Sequence, residues 1–178
     1  MNQAGLDRRD AGFTLIEILV VVVIIAVMTT IAVLSVGVLG KDRGLDEEGD
    51  RYADVVAAAA EQAGLEGRDY GIWFGPDRYE VMIYVERRQR WETVVDDRLF
   101  DMHELPAGLA PQLEIEGRTL MLVPAKPETP PVPQILIYAG GDSSAYHLTL
   151  TREGSEARLV VEGRADGTLA LTRPGSTP

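Results

Sequence analysis

The chain has 178 residues, enough for one folded domain of ordinary size. Its 28 Asp+Glu against 17 Lys+Arg give a net charge of -11, which argues against a phosphate-neutralising surface and therefore against nucleic acid as a partner. Cysteine is absent, so a disulfide framework and a thiolate metal site are both excluded, and with aromatics at 6% burial has to come mainly from aliphatic faces.

From Phe13 to Leu39 the only ionisable side chain is Glu17. As a helix this stretch measures roughly 40 Å at about 1.5 Å per residue, long enough to span a bilayer. Arg8 and Arg9 precede it, while Asp42, Asp46, Glu47, Glu48 and Asp50 make the far flank acidic. That asymmetry places the N-terminus in the cytoplasm and the remainder outside. A cleavable secretory signal has a shorter apolar region and a small-residue cleavage site after it, and neither is present. Glu17 is the anomaly, because a charge near the bilayer centre costs roughly 3 kcal/mol on insertion scales. Topology alone leaves open a plain signal anchor whose glutamate reaches headgroup water.

Gly12-Phe13-Thr14-Leu15-Ile16-Glu17, after a short polar leader and before an aliphatic helix, resembles the class III signal of type IV pilins and type II secretion pseudopilins. The resemblance implies that a prepilin peptidase cuts between Gly12 and Phe13 and methylates the new amine of Phe13, leaving the apolar helix on the mature subunit. It also implies that Glu17 meets the amine of a neighbouring subunit during assembly. The chemistry suits those positions. Gly12 lets the scissile backbone lie extended, and Phe13 would carry a cation one helical turn from Glu17. An unpaired acid in lipid is costly, so a partner amine at the right height can set register. An intrachain contact between Phe13 and Glu17 is the alternative.

The helical pattern continues outward with Tyr52, Val55, Val56, Ala59 and Ala63 at helical spacing, a face for the globular domain, while Asp50, Arg51, Asp54 and Glu61 are expected in solvent. Gly37, Gly40, Gly44 and Gly49 between the two halves predict either a hinge or close packing. Beyond Gly64 the pattern alternates. Strands are predicted at Tyr70 to Phe74 and Tyr79 to Val85 around a Gly75-Pro76-Asp77 turn, and near Trp91 to Val95. Gln112 to Glu116 and Thr119 to Val123 follow, turned at Gly117-Arg118. Pro124 to Pro133 lacks the N-H groups for a central strand and predicts an exposed connector. The last strands are Ile135 to Tyr138, Tyr146 to Thr151, Arg158 to Val161 and Thr168 to Thr172, with a turn at Asp166-Gly167. The expected fold class is α+β: a long N-terminal helix packed on an antiparallel sheet, with no βαβ rhythm.

In "EGRDYGIWF" and "PQILIYAGGDSSAYHLTL" the globular part resembles minor pseudopilins of the H class, although Ala139-Gly140-Gly141 and Ser143-Ser144 stand where that class often has proline and threonine. The resemblance implies an inner-membrane subunit with a single pass. Its predicted parts are a leader at 1–12, a membrane helix and filament core at 13–39, an amphipathic helix at 40–66, a periplasmic β-rich domain at 67–173 and a tail at 174–178. It implies other pseudopilins as partners, an inner-membrane platform protein and assembly ATPase acting indirectly, and possible exoprotein contact. A minor pilin of a type IV or competence pilus, or a membrane-anchored periplasmic binding module, is the rival reading.

Competing chemistry is weak. His103 and His147 are far apart in sequence and predict ordinary surface or strand residues. Asp96, Asp97, Asp101 and Glu104 predict a solvated acidic loop in preference to a calcium site. Trp73 and Trp91 predict sheet packing. Ser143-Ser144 lacks a nucleophile elbow, and Gly140-Gly141 opens no phosphate-holding helix. No enzyme, metal or cofactor is expected.

Overall fold

The structure is a computed structural model that describes residues 15–95, 97–126 and 131–173, with the backbone alone described over 31–42. The expected leader, the C-terminal tail, Asp96 and the centre of the Pro-rich connector lie outside these residues. The chain forms two compact units, residues 1–40 and 41–178.

Helix α1 (Leu15–Glu66) runs from the first described residue of the first unit into the second unit. Every described side chain from Leu15 to Thr30 is exposed. Thr29 and Thr30 donate their hydroxyls to the carbonyls of Ile25 and Ala26, at 2.7 and 2.8 Å. Their polarity is thereby met within the helix, as an apolar environment requires. Among the described residues no helix is long and apolar enough to cross a membrane. The span expected over 13–39 runs past the described side chains at both ends.

All four glycines lie within α1. Close packing is the outcome at Gly49, though against a sheet: a methyl there would lie 2.5 Å from Leu159 Cδ2 and 3.3 Å from Leu171 Cδ2.

In the second unit ten antiparallel strands follow α1 among the described residues. They are β1 (Tyr70–Phe74), β2 (Arg78–Val85), β3 (Arg90–Thr93), β4 (His103–Glu104), β5 (Leu109–Ile115), β6 (Arg118–Leu120), β7 (Ile135–Ile137), β8 (Tyr146–Arg152), β9 (Arg158–Gly163) and β10 (Leu169–Thr172). One sheet has the order β3-β2-β1-β7, with β4 also on β2; the other runs β10-β9-β8-β5-β6. Division into two sheets rests on pairings distant in sequence, such as Ile72 with Ile135, which local alternation cannot show.

The helical face reads as expected: Tyr52, Val55, Val56, Ala59 and Ala63 are all buried, within one core that includes Ile72, Phe74 and Tyr79 of the first sheet and Tyr146, Leu148 and Val161 of the second. Tyr52 binds all three elements together. Its ring packs on Phe74 at 5.7 Å and edge-on to Tyr79 at 5.6 Å, and its hydroxyl donates to the Tyr146 hydroxyl at 2.9 Å.

Four expectations need correction. The β5–β6 turn is Glu116-Gly117, with φ of 50° and 74°, and not Gly117-Arg118. A two-residue hairpin turn of this hand needs positive φ at both central positions, so Arg118 already belongs to the strand. That strand ends at Leu120, and Met121 is 89% exposed. The Pro-rich connector is not exposed throughout: Pro133 is buried, and the Gln134 amide takes the role of a strand neighbour by accepting from Phe74 N-H at 2.8 Å and donating to Phe74 C=O at 3.1 Å. Arg51, expected in solvent, is half-buried, and its Nε is sealed from water without a partner.

Gly163 shows how tightly the second sheet is set. A methyl there would fall 2.1 Å from Cε1 of Tyr146, the residue directly across the ladder. Gly163→Ala must therefore push Tyr146 off Tyr52. The expected cost is about 2 kcal/mol of unfolding free energy, read by chemical denaturation.

Candidate functional site

The predicted assembly residues lie at the start of α1. Glu17 sits in the first turn of the helix with its side chain exposed, where the helix dipole favours a carboxylate. Gly12 and Phe13 lie outside the described residues. Around Glu17 the helix presents an apolar surface on all sides, from Val21 at 45% exposed to Leu15 at 87%. A helix apolar all round is at home in lipid or among other helices, since in water this much aliphatic surface costs about 25 cal/mol per Å² left wet. The first unit is therefore built to be covered by something else.

The second unit offers a different kind of site, a polar cluster inside its core. Glu48 on α1 is 4% exposed, and its Oε2 lies 2.9 Å from Nε2 of His103 on β4. The His103 ring packs on Tyr79 at 5.1 Å. Glu48 Oε1 and the Tyr79 hydroxyl are sealed and have no hydrogen-bond partner. Burial, and after it the Glu48 charge, hold the Tyr79 phenol well above its ordinary value. Burial and then neighbouring Tyr146 do the same to Tyr52. Tyr146 is pushed up to about 12 by burial, partly opposed by the hydroxyl that Tyr52 donates to it.

The phenols are held neutral, and the Glu48–His103 pair ties β4 to the helix. Sequence reasoning missed it. Glu48 sits in an acidic run that reads as solvated, and β4 is too short to show alternation; the available signal was that Glu48 lies four residues before Tyr52 and three after Leu45, on the buried stripe.

A pH dependence follows from the phenols. Their protons are retained in the folded chain and released from the unfolded chain above pH about 10, so the unfolded state binds fewer protons there and stability falls as pH rises. Unfolding and tyrosinate absorbance are expected to rise together in alkali, with no tyrosinate step from the buried phenols before unfolding.

His147 is exposed on β8 of the second sheet, whereas His103 is on β4 of the first. Among the described residues no group of three or more His, Cys, Asp or Glu is placed to hold a metal ion. Trp73 is buried beside the connector and lines a surface hollow of about 320 Å³ with Pro124, Pro131 and Val132; Trp91 pairs with Tyr84 at 5.3 Å.

Residues 7–33 match the prokaryotic N-terminal methylation motif. Over 158 residues, 86% of the chain and 90% of the relative, the sequence is 37% identical to type II secretion system protein H of Pseudomonas aeruginosa. The chain belongs to the type II secretion system protein H family. The protein H of Aeromonas hydrophila is 27% identical over 89% of the chain and 90% of its own length. Among solved structures, the minor pseudopilin EpsH from the type II secretion system of Vibrio cholerae is similar in fold, with a TM-score of 0.65 at 19% identity over 77% of this chain and 99% of that one. Escherichia coli GspH follows at 0.59, with 20% identity over 78% and 94%. The pilin-like α+β fold expected from the sequence is thus the fold of protein H subunits.

Proposed function

We propose that this protein is a structural minor pseudopilin of a type II secretion system, anchored in the inner membrane with its second unit in the periplasm, and that it joins the periplasmic pseudopilus whose growth drives folded proteins across the outer membrane. Membership of the protein H family carries the reading, and the wholly exposed apolar surface of α1 around Glu17 supports it physically. That surface can be covered by lipid before assembly and by neighbouring helices after it.

In this reading a prepilin peptidase removes residues 1–12 and methylates Phe13, and Glu17 receives the Phe13 amine of an adjacent subunit. The energy of extraction comes from an assembly ATPase working through a platform protein. The role of the chain is to present a helix and a rigid β-rich head, and it catalyses no reaction.

Deleting the gene in its host tests this. Secretion of folded exoproteins is expected to fail, with those proteins retained in the periplasm, and to return when the full-length chain is supplied. Unimpaired secretion together with lost pilus function would instead favour a type IV or competence pilus.

A further inference from the structure

Trp73 is the one aromatic side chain of β1 outside the main core. Ile72 and Phe74 face the helix, so Trp73 between them lies on the opposite side of the first sheet, yet it is only 4% exposed. Its indole rests along the Gly75 backbone, where a methyl would come 2.8 Å from Cη2, and this fixes the ring in place. Two surface hollows share Trp73, Pro124 and Ala125 in their linings and therefore adjoin. The first, of about 290 Å³, continues to Pro76 and to the Asp77–Arg78 ion pair at 3.1 Å. The second, of about 320 Å³, continues to Val123, Pro131, Val132 and Lys126. Gln134 also lines it, but its amide is engaged by the Phe74 backbone. Lys126 is exposed, is the only charged group lining the second hollow, and has no ion-pair partner among the described residues.

We propose that the paired hollows receive an extended segment of a different protein, with two apolar side chains two residues apart and a carboxylate beside them. Alternate side chains of an extended chain fall on one face about 6.6 Å apart, a spacing that suits two hollows with a shared lining. Pro124 and Pro131 have no N-H to donate, so the segment is held by its buried side chains and not by addition to the sheet. The walls are already rigid, through the fixed indole and the proline rings, and little ordering cost is left to binding. Lys126 then sets direction: it meets the carboxylate at its own end of the groove and disfavours a cation there. A second copy of the chain is a poor occupant, because two molecules at -11 each repel. The site stands apart from the filament reading and from Glu17.

The chain has two tryptophans, so Trp91→Phe leaves Trp73 fluorescence as a direct reading of the groove in the purified full-length chain. The probes are two amidated peptides, Ser-Val-Thr-Val-Glu-Asp and Ser-Val-Thr-Val-Lys-Lys. The acidic peptide is expected to change the emission saturably, and the basic peptide to bind about tenfold more weakly. Lys126→Glu should reverse that order, and Val132→Asp should weaken both peptides. No saturable change with the acidic peptide, or the same preference in the parent and Lys126→Glu chains, overturns the proposal. The natural occupant is read by replacing Val132 with p-benzoylphenylalanine in the full-length chain and irradiating host membranes. The crosslinked peptide is expected to come from a different protein and to carry two apolar residues two apart beside Asp or Glu. An adduct only with lipid or with a second copy of the chain, or no adduct, contradicts it.

Discussion

Replacing His103 by alanine is expected to lower the unfolding free energy of the second unit by about 3 kcal/mol, the cost of leaving a buried carboxylate without its partner. Glu48 is 4% exposed, one of its oxygens already lacks a hydrogen bond, and His103 at 2.9 Å is the group that meets the other. The loss should be largest where β4 meets the helix, and hydrogen exchange of residues 99–105 should speed up before the rest of the sheet. Removing both partners gives the opposite expectation. Glu48→Met with His103→Leu takes away the buried charge along with its partner, and the double variant is expected within about 1 kcal/mol of the parent or above it. Equal losses in the single and double variants, measured by urea denaturation, would show that shape and not charge explains the site.

The second large effect concerns assembly. Glu17→Ala is expected to reach the membrane and be processed as the parent is, yet to fall at least about tenfold in copurification with the other pseudopilins. Glu17→Gln should fail in the same way, because its amide keeps the shape and loses the charge that an ammonium partner needs. Full incorporation of Glu17→Gln would mean that the carboxylate is not used as an ionic partner. Both variants leave the second unit untouched, so its thermal unfolding should be unchanged.

What could be read in the sequence divides by the range of the interaction. Tyr52, Val55, Val56, Ala59 and Ala63 announced the buried helical face because a period of 3.6 is a local property, and all five are buried. Gly75-Pro76-Asp77 and Asp166-Gly167 marked turns that are present, with Gly75 N-H donating to Arg78 C=O and Gly167 N-H to Arg164 C=O, both at 2.9 Å. The split into two sheets was hidden because β1 finds β7 across more than sixty residues. Arg51, expected in solvent, is half-buried, and Glu48, read only as part of an acidic flank, is buried, because a helix packed against two sheets buries more than a narrow stripe.

The assembly residues were legible in a different way. Gly12, Phe13 and Glu17 stand out through spacing and resemblance, and Glu17 lies in the first turn of an exposed apolar helix. The fold of the second unit does not depend on them: its core draws on residues from Leu45 onward. The second unit thus carries its own interior, while the described side chains from Leu15 to Thr30 are all exposed.

The mass of the full chain purified from membranes tests the central claim most directly. A processed pseudopilin begins at Phe13 and carries a methyl group on that amine, so the measured mass should be that of the chain without residues 1–12 and with one added methyl. A chain that keeps Met1 through Gly12 would contradict the account.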